Sequence, residues 1–205
     1  MRALLVPVKA FHDAKLRLAP VLSPPERAEL ARRLAAGVLR AAGSLTPNVV
    51  CEDAEVALWA TSLGARVIWT PRLGLSGAVA AGVAALGAEG VDLVVVAHAD
   101  LPFAAGLDEI GEVGTVTLVP DRRKDGTNVV AVPAGAGFCF AYGPGSFGRH
   151  QAEAARLGLR CDVVIDDKLA ADVDLPADLA ALGEDELSSI RALAGLRIPP
   201  PLPEL

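Results

Sequence analysis

The chain has 205 residues, 52% of them hydrophobic and 21% charged, which suits a single domain over residues 1–205 with one sizeable core. Its 20 Gly and 15 Pro stay below the roughly 25–30% share that marks low complexity, so collagen-like and disordered classes are excluded. With 19 Lys and Arg against 25 Asp and Glu the net charge is −6, and no basic stretch offers a grip on a nucleic-acid backbone.

Short apolar runs alternate with amphipathic segments along the chain, the pattern of an α/β fold with a mostly parallel sheet flanked by helices. The spacing predicts strands at 4–8, 48–51, 66–69, 93–97, 115–119, 129–133 and 162–165, and their continuous apolar character suits strands covered on both faces. Between the first two, Ser23-Pro24-Pro25-Glu26 reads as a helix start, with Ser23 as N-cap, Pro24 in the first turn and Glu26 closing a capping box; that helix is expected to run to about Gly43. Further helices are expected at 54–63, 76–86, 107–113 and 147–157. Pro176 and Asp178 open a C-terminal helix, and the proline-rich stretch 198–203 cannot be helical. Lys9 and Lys15 interrupt any signal-peptide core, and the longest uncharged segment, 73–88, falls short of the roughly 20 residues a membrane span needs, so a soluble cytoplasmic protein without membrane partners is expected. Cys51, Cys139 and Cys161 form no CxxC pair and read as small apolar residues in a reducing compartment.

In open α/β sheets ligands bind beyond the carboxyl ends of strands, so residues directly after the apolar runs are the candidates for chemistry. After the fourth run comes His98-Ala99-Asp100-Leu101-Pro102, in which Asp100 reads either as a helix cap or as a ligand for a hard cation. In Asp172-Val173-Asp174-Leu175-Pro176 an extended backbone would turn both carboxylates to one face and toward one metal; the alternative is a capping Asp174 and a solvated Asp172. Lys9, Lys15 and Arg17 follow the first strand, where they serve either as polyphosphate contacts or as a solvated basic loop. Thr127 opens a strand, and Gly143-Pro144-Gly145-Ser146 opens a helix whose free N–H groups and Ser146 hydroxyl can hold a carboxylate or phosphate. His12, His98 and His150 lack metal-ligand spacing and read as hydrogen-bonded loop residues; Ser76 and Ser146 lack a nucleophile-elbow setting.

Taken in order, Lys15-Leu16-Arg17-Leu18-Ala19-Pro20, Ser23-Pro24-Pro25-Glu26-Arg27, Ala99-Asp100-Leu101-Pro102, Gly126-Thr127-Asn128, Phe140 to His150 and Asp172-Val173-Asp174-Leu175-Pro176 resemble the 2-phospho-L-lactate/phosphoenolpyruvate guanylyltransferase family of coenzyme F420 biosynthesis. The resemblance runs from about residue 4 to 182. It implies a three-layer, Rossmann-like nucleotidyltransferase fold and transfer of GMP from GTP to a phosphorylated three-carbon acid, with phosphoenolpyruvate favoured, releasing pyrophosphate. It also implies Mg²⁺ held by Asp100, Asp172 and Asp174, phosphate contacts from Lys15 and Arg17, with Lys9 and Ser76 on the nucleotide, and an acceptor carboxylate gripped by Thr127, Gly143 and Ser146. The chain departs from the family where Gly74-Leu75-Ser76-Gly77 replaces a Gly-Leu-Asn stretch, and where Ala99 replaces a Gly. Nucleotidyltransferases for CTP, sugar phosphates or molybdopterin usually carry a Leu-x-Ala-Gly-Gly loop, which Val6-Pro7-Val8-Lys9-Ala10 lacks. A phosphoacceptor receiver would need acids where this chain has Lys9, and a catalytically silent nucleotide-binding protein is the remaining alternative.

Overall fold

A computed structural model describes residues 1–196 of the chain. The described residues build a mixed sheet from β1 (Arg2–Pro7), β2 (Thr46–Cys51), β3 (Arg66–Trp69), β4 (Leu93–Ala97), β5 (Thr115–Pro120), β6 (Thr127–Pro133) and β7 (Arg160–Val163). The strand order is β3-β2-β1-β4-β6-β5-β7. All pairings are parallel except those of β6, which runs antiparallel to both β4 and β5. The α-helices are α1 (Pro24–Arg40), α2 (Ala54–Ser62), α3 (Gly74–Ala88), α4 (Ser146–Arg156) and α5 (Glu184–Leu196). No helix among the described residues is long and apolar enough to cross a membrane.

Strand alternation sorts the core into two layers. Leu4, Val6, Leu93, Val95 and Ala97 face α1 and α2, meeting Val38, Leu39 and Val56, whereas Leu5, Val94, Val96 and Val130 face α3 and α4, meeting Val79, Val83, Leu86 and Ala154. A strand that is apolar at every position is what burial on both faces demands, and β4 is buried at all five of its residues. The edge strands β3 and β7 are only half covered.

A third apolar cluster sits outside the two layers and matters most for the site. Leu18, Leu22, Leu30, Leu34, Val173 and Leu179 pack together, tying the segment after β1 and α1 to the segment after β7. Leu18 and Val173 are fully buried there, so the polar neighbours Arg17, Asp172 and Asp174 are carried to the carboxyl end of the sheet.

Several elements differ from their sequence-based expectations, each for a tertiary reason. The expected helix at 107–113 is a single 3-10 turn, Leu107–Glu109. The Arg2 guanidinium takes the Asp108, Ile110 and Gly111 carbonyls, and the Asp108 carboxylate accepts the Ser44 N–H at 2.9 Å, so the groups a helix would use are spent across the fold. The last strand lies two residues earlier than expected because β5 offers its free edge at Thr115–Leu118, pairing with Arg160–Val163 and leaving Ile165 61% exposed. The C-terminal helix divides into a 3-10 stretch, Pro176–Ala181, and α5, with Gly183 between them at φ +77°. The expected first helix ends at Arg40 instead of 43, and α3 begins two residues earlier than expected, at Gly74. The expected proline-rich tail at 198–203 lies outside the described residues. The capping motif at Ser23 forms: the Glu26 carboxylate accepts the Ser23 N–H at 2.7 Å and its hydroxyl at 2.5 Å, which holds the Glu26 carboxyl below its ordinary value.

Candidate active site

β1 connects leftward to β2, and β4 lies on its other side, so the topological switch point of the sheet falls between β1 and β4. A cleft of about 630 Å³ opens there, lined by residues that follow β1, β2, β3 and β4. Of the expected site residues, Lys9, Lys15, Arg17, Asp100 and Asp174 line it.

The centre of the cleft is an ion-pair network. The Lys15 ammonium donates to Asp100 Oδ2 at 2.7 Å and stands 3.6 Å from Asp174 Oδ1, while Arg17 donates to Asp174 Oδ2 at 2.8 Å. Lys15 is a non-glycine residue at φ +55°, and its side chain is only 8% exposed. Such a backbone costs of order 1–3 kcal/mol, and here it places an ammonium between two carboxylates. The pairing across the chain is completed by backbone: Val173 N–H donates to the Asp100 carbonyl at 3.2 Å, which seats Asp172 and Asp174 beside Asp100.

The carboxylates divide in behaviour. Burial opposes ionisation of Asp100, but the Lys15 ammonium, followed by the His98 ring, outweighs it and holds the carboxyl below its ordinary value. Asp172 is pushed up by burial and then by the charges of Asp100, Asp174 and Asp178. Asp100 Oδ1 is buried without a hydrogen-bond partner. Among the described residues no group of three or more His, Cys, Asp or Glu stands in a metal-holding array. Of the expected three aspartates, Asp100 and Asp174 are paired with Lys15 and Arg17, and Asp172 stands beside them with its carboxyl raised.

The remaining expected residues form a second layer behind the cleft. Because β6 runs antiparallel, its first residues, Thr127 and Asn128, sit beside the end of β4, and the Asn128 carbonyl accepts the His98 N–H at 2.9 Å. Thr127 Oγ1 lies 3.0 Å from His150 Nδ1, and His150 Nε2 accepts the Ala141 N–H at 3.0 Å. That pattern places the imidazole proton on Nδ1, with Thr127 as its acceptor. Ser76 Oγ accepts the Tyr142 N–H at 3.1 Å, so Ser76 anchors the 140s loop and does not line the cleft. In that loop Gly143 (φ +102°) and Gly145 (φ +73°) take conformations other residues rarely adopt. The Gly145 N–H is accepted by Asp125 Oδ1 at 3.0 Å, and Arg149 gathers the Ala141 and Pro144 carbonyls, so part of the expected anion-binding turn is already occupied. Ser146 is buried at the first position of α4. Thr127, Gly143 and Ser146 do not line the cleft, and neither does Asp172.

His150 sits in α4 instead of a loop, and it is neutral. Burial, then the charges of Arg149 and His98, lower its pKa to about 4. Since the unfolded value is near 6.5, the unfolded chain binds more protons between those limits, and the stability that neutral His150 contributes is lost as pH falls from about 6.5 to about 4. We expect calorimetric melting temperatures to decline across that window, and His150→Gln to decline less steeply; equal slopes would remove His150 as the titrating group.

Sequence reasoning missed His98, Glu52 and Thr70 as cleft residues. Each directly follows a strand, so the strand-end rule that singled out Asp100 could have found them. The His98 and Tyr142 rings lie 5.1 Å apart at a tilt of 48°, linking the cleft to the 140s loop.

Comparison with known proteins shows what the whole chain is similar to. Phosphoenolpyruvate guanylyltransferase of Rubrobacter xylanophilus is 36% identical over 187 residues, covering 87% of this chain and 91% of the relative. The 3-phospho-D-glycerate guanylyltransferase of Phenylobacterium zucineum is 33% identical, covering 87% and 88%. The structure of a nucleotidyl transferase from Methanothermobacter thermautotroptrophicus superposes with a TM-score of 0.66 at 18% identity, covering 92% of this chain and 99% of that one, so the fold is that of a nucleotidyltransferase. The family model described as guanylyl transferase CofC like matches residues 1–188, and the chain belongs to that family.

Proposed function

We propose that the protein transfers GMP from GTP to phosphoenolpyruvate, releasing pyrophosphate. The observation that carries this reading is the Lys15 ammonium set between Asp100 and Asp174 at the switch point of the sheet, in a chain of the guanylyltransferase family. An acceptor phosphate oxygen attacks the α-phosphorus, the bond from that phosphorus to the bridging β-phosphate oxygen breaks, and the electron pair leaves with pyrophosphate. The attacking oxygen is already ionised near neutral pH, so no protein base is needed. Lys15 and Arg17 bind and orient the triphosphate and absorb charge growing on the leaving group. Lys9 supplies a further cation at the cleft wall.

Both substrates are anions, and the cleft carries the aspartates Asp100 and Asp174, with Asp172 seated beside them. The unpartnered, buried Asp100 Oδ1 and the raised Asp172 carboxyl are what an oxygen-ligand cation site presents without its ion, and a hard divalent cation suits such donors. We assign Asp100, Asp172 and Asp174 to hold Mg²⁺, which when bound offsets the repulsion between acceptor phosphate and α-phosphate. Thr127, Gly143 and Ser146 lie behind the cleft on the β6 side, where Thr127 and the 140s loop are linked through His150; on this reading they receive the acceptor's carboxylate. The named Phenylobacterium relative keeps 3-phospho-D-glycerate as the second acceptor to be tried.

The test is pyrophosphate release with each of the four nucleoside triphosphates crossed against phosphoenolpyruvate, 2-phospho-L-lactate and 3-phosphoglycerate. We expect release with GTP and phosphoenolpyruvate. Release only with CTP, or none with any pair, would overturn the reading; a preference for another acceptor would correct the acceptor alone.

A further inference from the structure

We propose that Glu52 reads the nucleotide base, its carboxylate accepting the N1–H and exocyclic 2-amino group of guanine. The inference rests on the guanylyl-transfer reading and names the side chain that selects the base. Glu52 follows β2 and lines the cleft two strands from the end of β4, where Asp100 stands. Two strand spacings are about 10 Å, a separation that suits one end of a nucleotide on its α-phosphate and the other on its base.

A carboxylate in a cleft that receives a polyanion is repulsive toward phosphate, so it belongs where the ligand presents donors. Guanine alone among the four common bases shows two adjacent donors on one edge, and an ionised carboxylate is an acceptor on both oxygens. Adenine and cytosine would set a ring-nitrogen lone pair against it, and uracil offers a single donor flanked by carbonyls.

The surroundings fit a base. Leu16 and Leu75 are 59% and 43% exposed, unusual for large apolar side chains, yet both line the cleft with Val50 and Ala78 and can sandwich a flat ring. The carboxylate is also held in place: Arg72 N–H donates to Glu52 Oε2 at 2.5 Å, and Arg72 does so from a left-handed backbone at φ +59°. Strained non-glycine backbone of this kind persists where surrounding contacts over-determine it, and here its product is an oriented acceptor.

The test measures binding of GTP, ITP and ATP to the intact protein by calorimetry, for wild type and Glu52→Gln, alongside pyrophosphate release. Gln keeps one acceptor for the Arg72 N–H but turns a donor toward the base. We expect wild type to favour GTP over ITP, which lacks the 2-amino group, by at least about tenfold, since a site built to bond a group rejects analogues lacking it. In Glu52→Gln that ratio should fall to within about threefold, and the preference for GTP over ATP should shrink with it. An unaltered melting temperature would show that the change is not one of folding. If Glu52→Gln retains the wild-type ratios, the inference is overturned while guanylyl transfer stands. If the ratios collapse as expected but no acceptor releases pyrophosphate from GTP, the transfer reading falls and the base assignment stands. Wild type that does not prefer GTP overturns the inference.

Discussion

Asp100→Asn is expected to lower GMP transfer at least about a hundredfold while the protein stays folded. The two halves of that result have separate causes. Asp100 Oδ1 is buried without a partner, and the desolvation of that oxygen, a cost of about 1–3 kcal/mol, offsets part of what the Oδ2–Lys15 pair contributes to the fold. Asn keeps the shape and still offers an oxygen to the Lys15 ammonium, and Asp174 stays within 3.6 Å of that ammonium, so the protein should fold with a melting temperature lowered by a few degrees. The charge, by contrast, faces the cleft where two anionic reactants meet, and one charge-stabilising contact of this kind is typically worth about 10²–10³ in turnover. Steady-state pyrophosphate release and a thermal melt on the same sample decide the matter. Near-normal turnover would remove Asp100 from the reaction.

Lys15→Met should cost both activity and stability. The ammonium is the direct partner of Asp100 and sits within reach of Asp174, so its loss leaves a largely buried carboxylate without its nearest cation. Breaking a buried pair from one side is destabilising by about 3–5 kcal/mol; with Asp100 partly reached by solvent, about 2–3 kcal/mol is expected from urea denaturation. Transfer should fall by about 10²–10³, because the triphosphate loses its best-placed cation. The double variant Lys15→Met with Asp100→Asn separates these effects: it should recover most of the stability, the uncompensated charge being gone, and none of the activity. A stability loss of equal size in both backgrounds would mean the two side chains are not coupled.

The candidate site was legible in the sequence to the extent that chemistry sits at strand ends. Asp100, Lys9, Lys15 and Arg17 follow β4 and β1 directly, and a rule about the carboxyl ends of strands reaches them from local pattern. The same rule reaches Glu52, Thr70 and His98, which lacked a motif to single them out. Ser76, which the resemblance sets on the nucleotide, shows what local pattern omits: its oxygen accepts the Tyr142 N–H from a loop 66 positions away. The helix expected at 107–113 failed for a similar reason, since Arg2 and Ser44, more than 60 positions away, claim its carbonyls and its carboxylate.

Periodicity, caps and composition are properties of neighbours along the chain, and they suffice for the alternating α/β pattern, the Ser23–Glu26 helix start and the residue types at the strand ends. The reversal of β6, which delivers Thr127 and Asn128 to the end of β4, leaves no trace in an apolar run that reads alike in either direction. Nor does local pattern reveal that Arg17 meets Asp174 across 157 positions. That contact exists because Leu18 and Val173 bury themselves in one apolar cluster, and burial, unlike spacing, is settled only when distant segments close on each other.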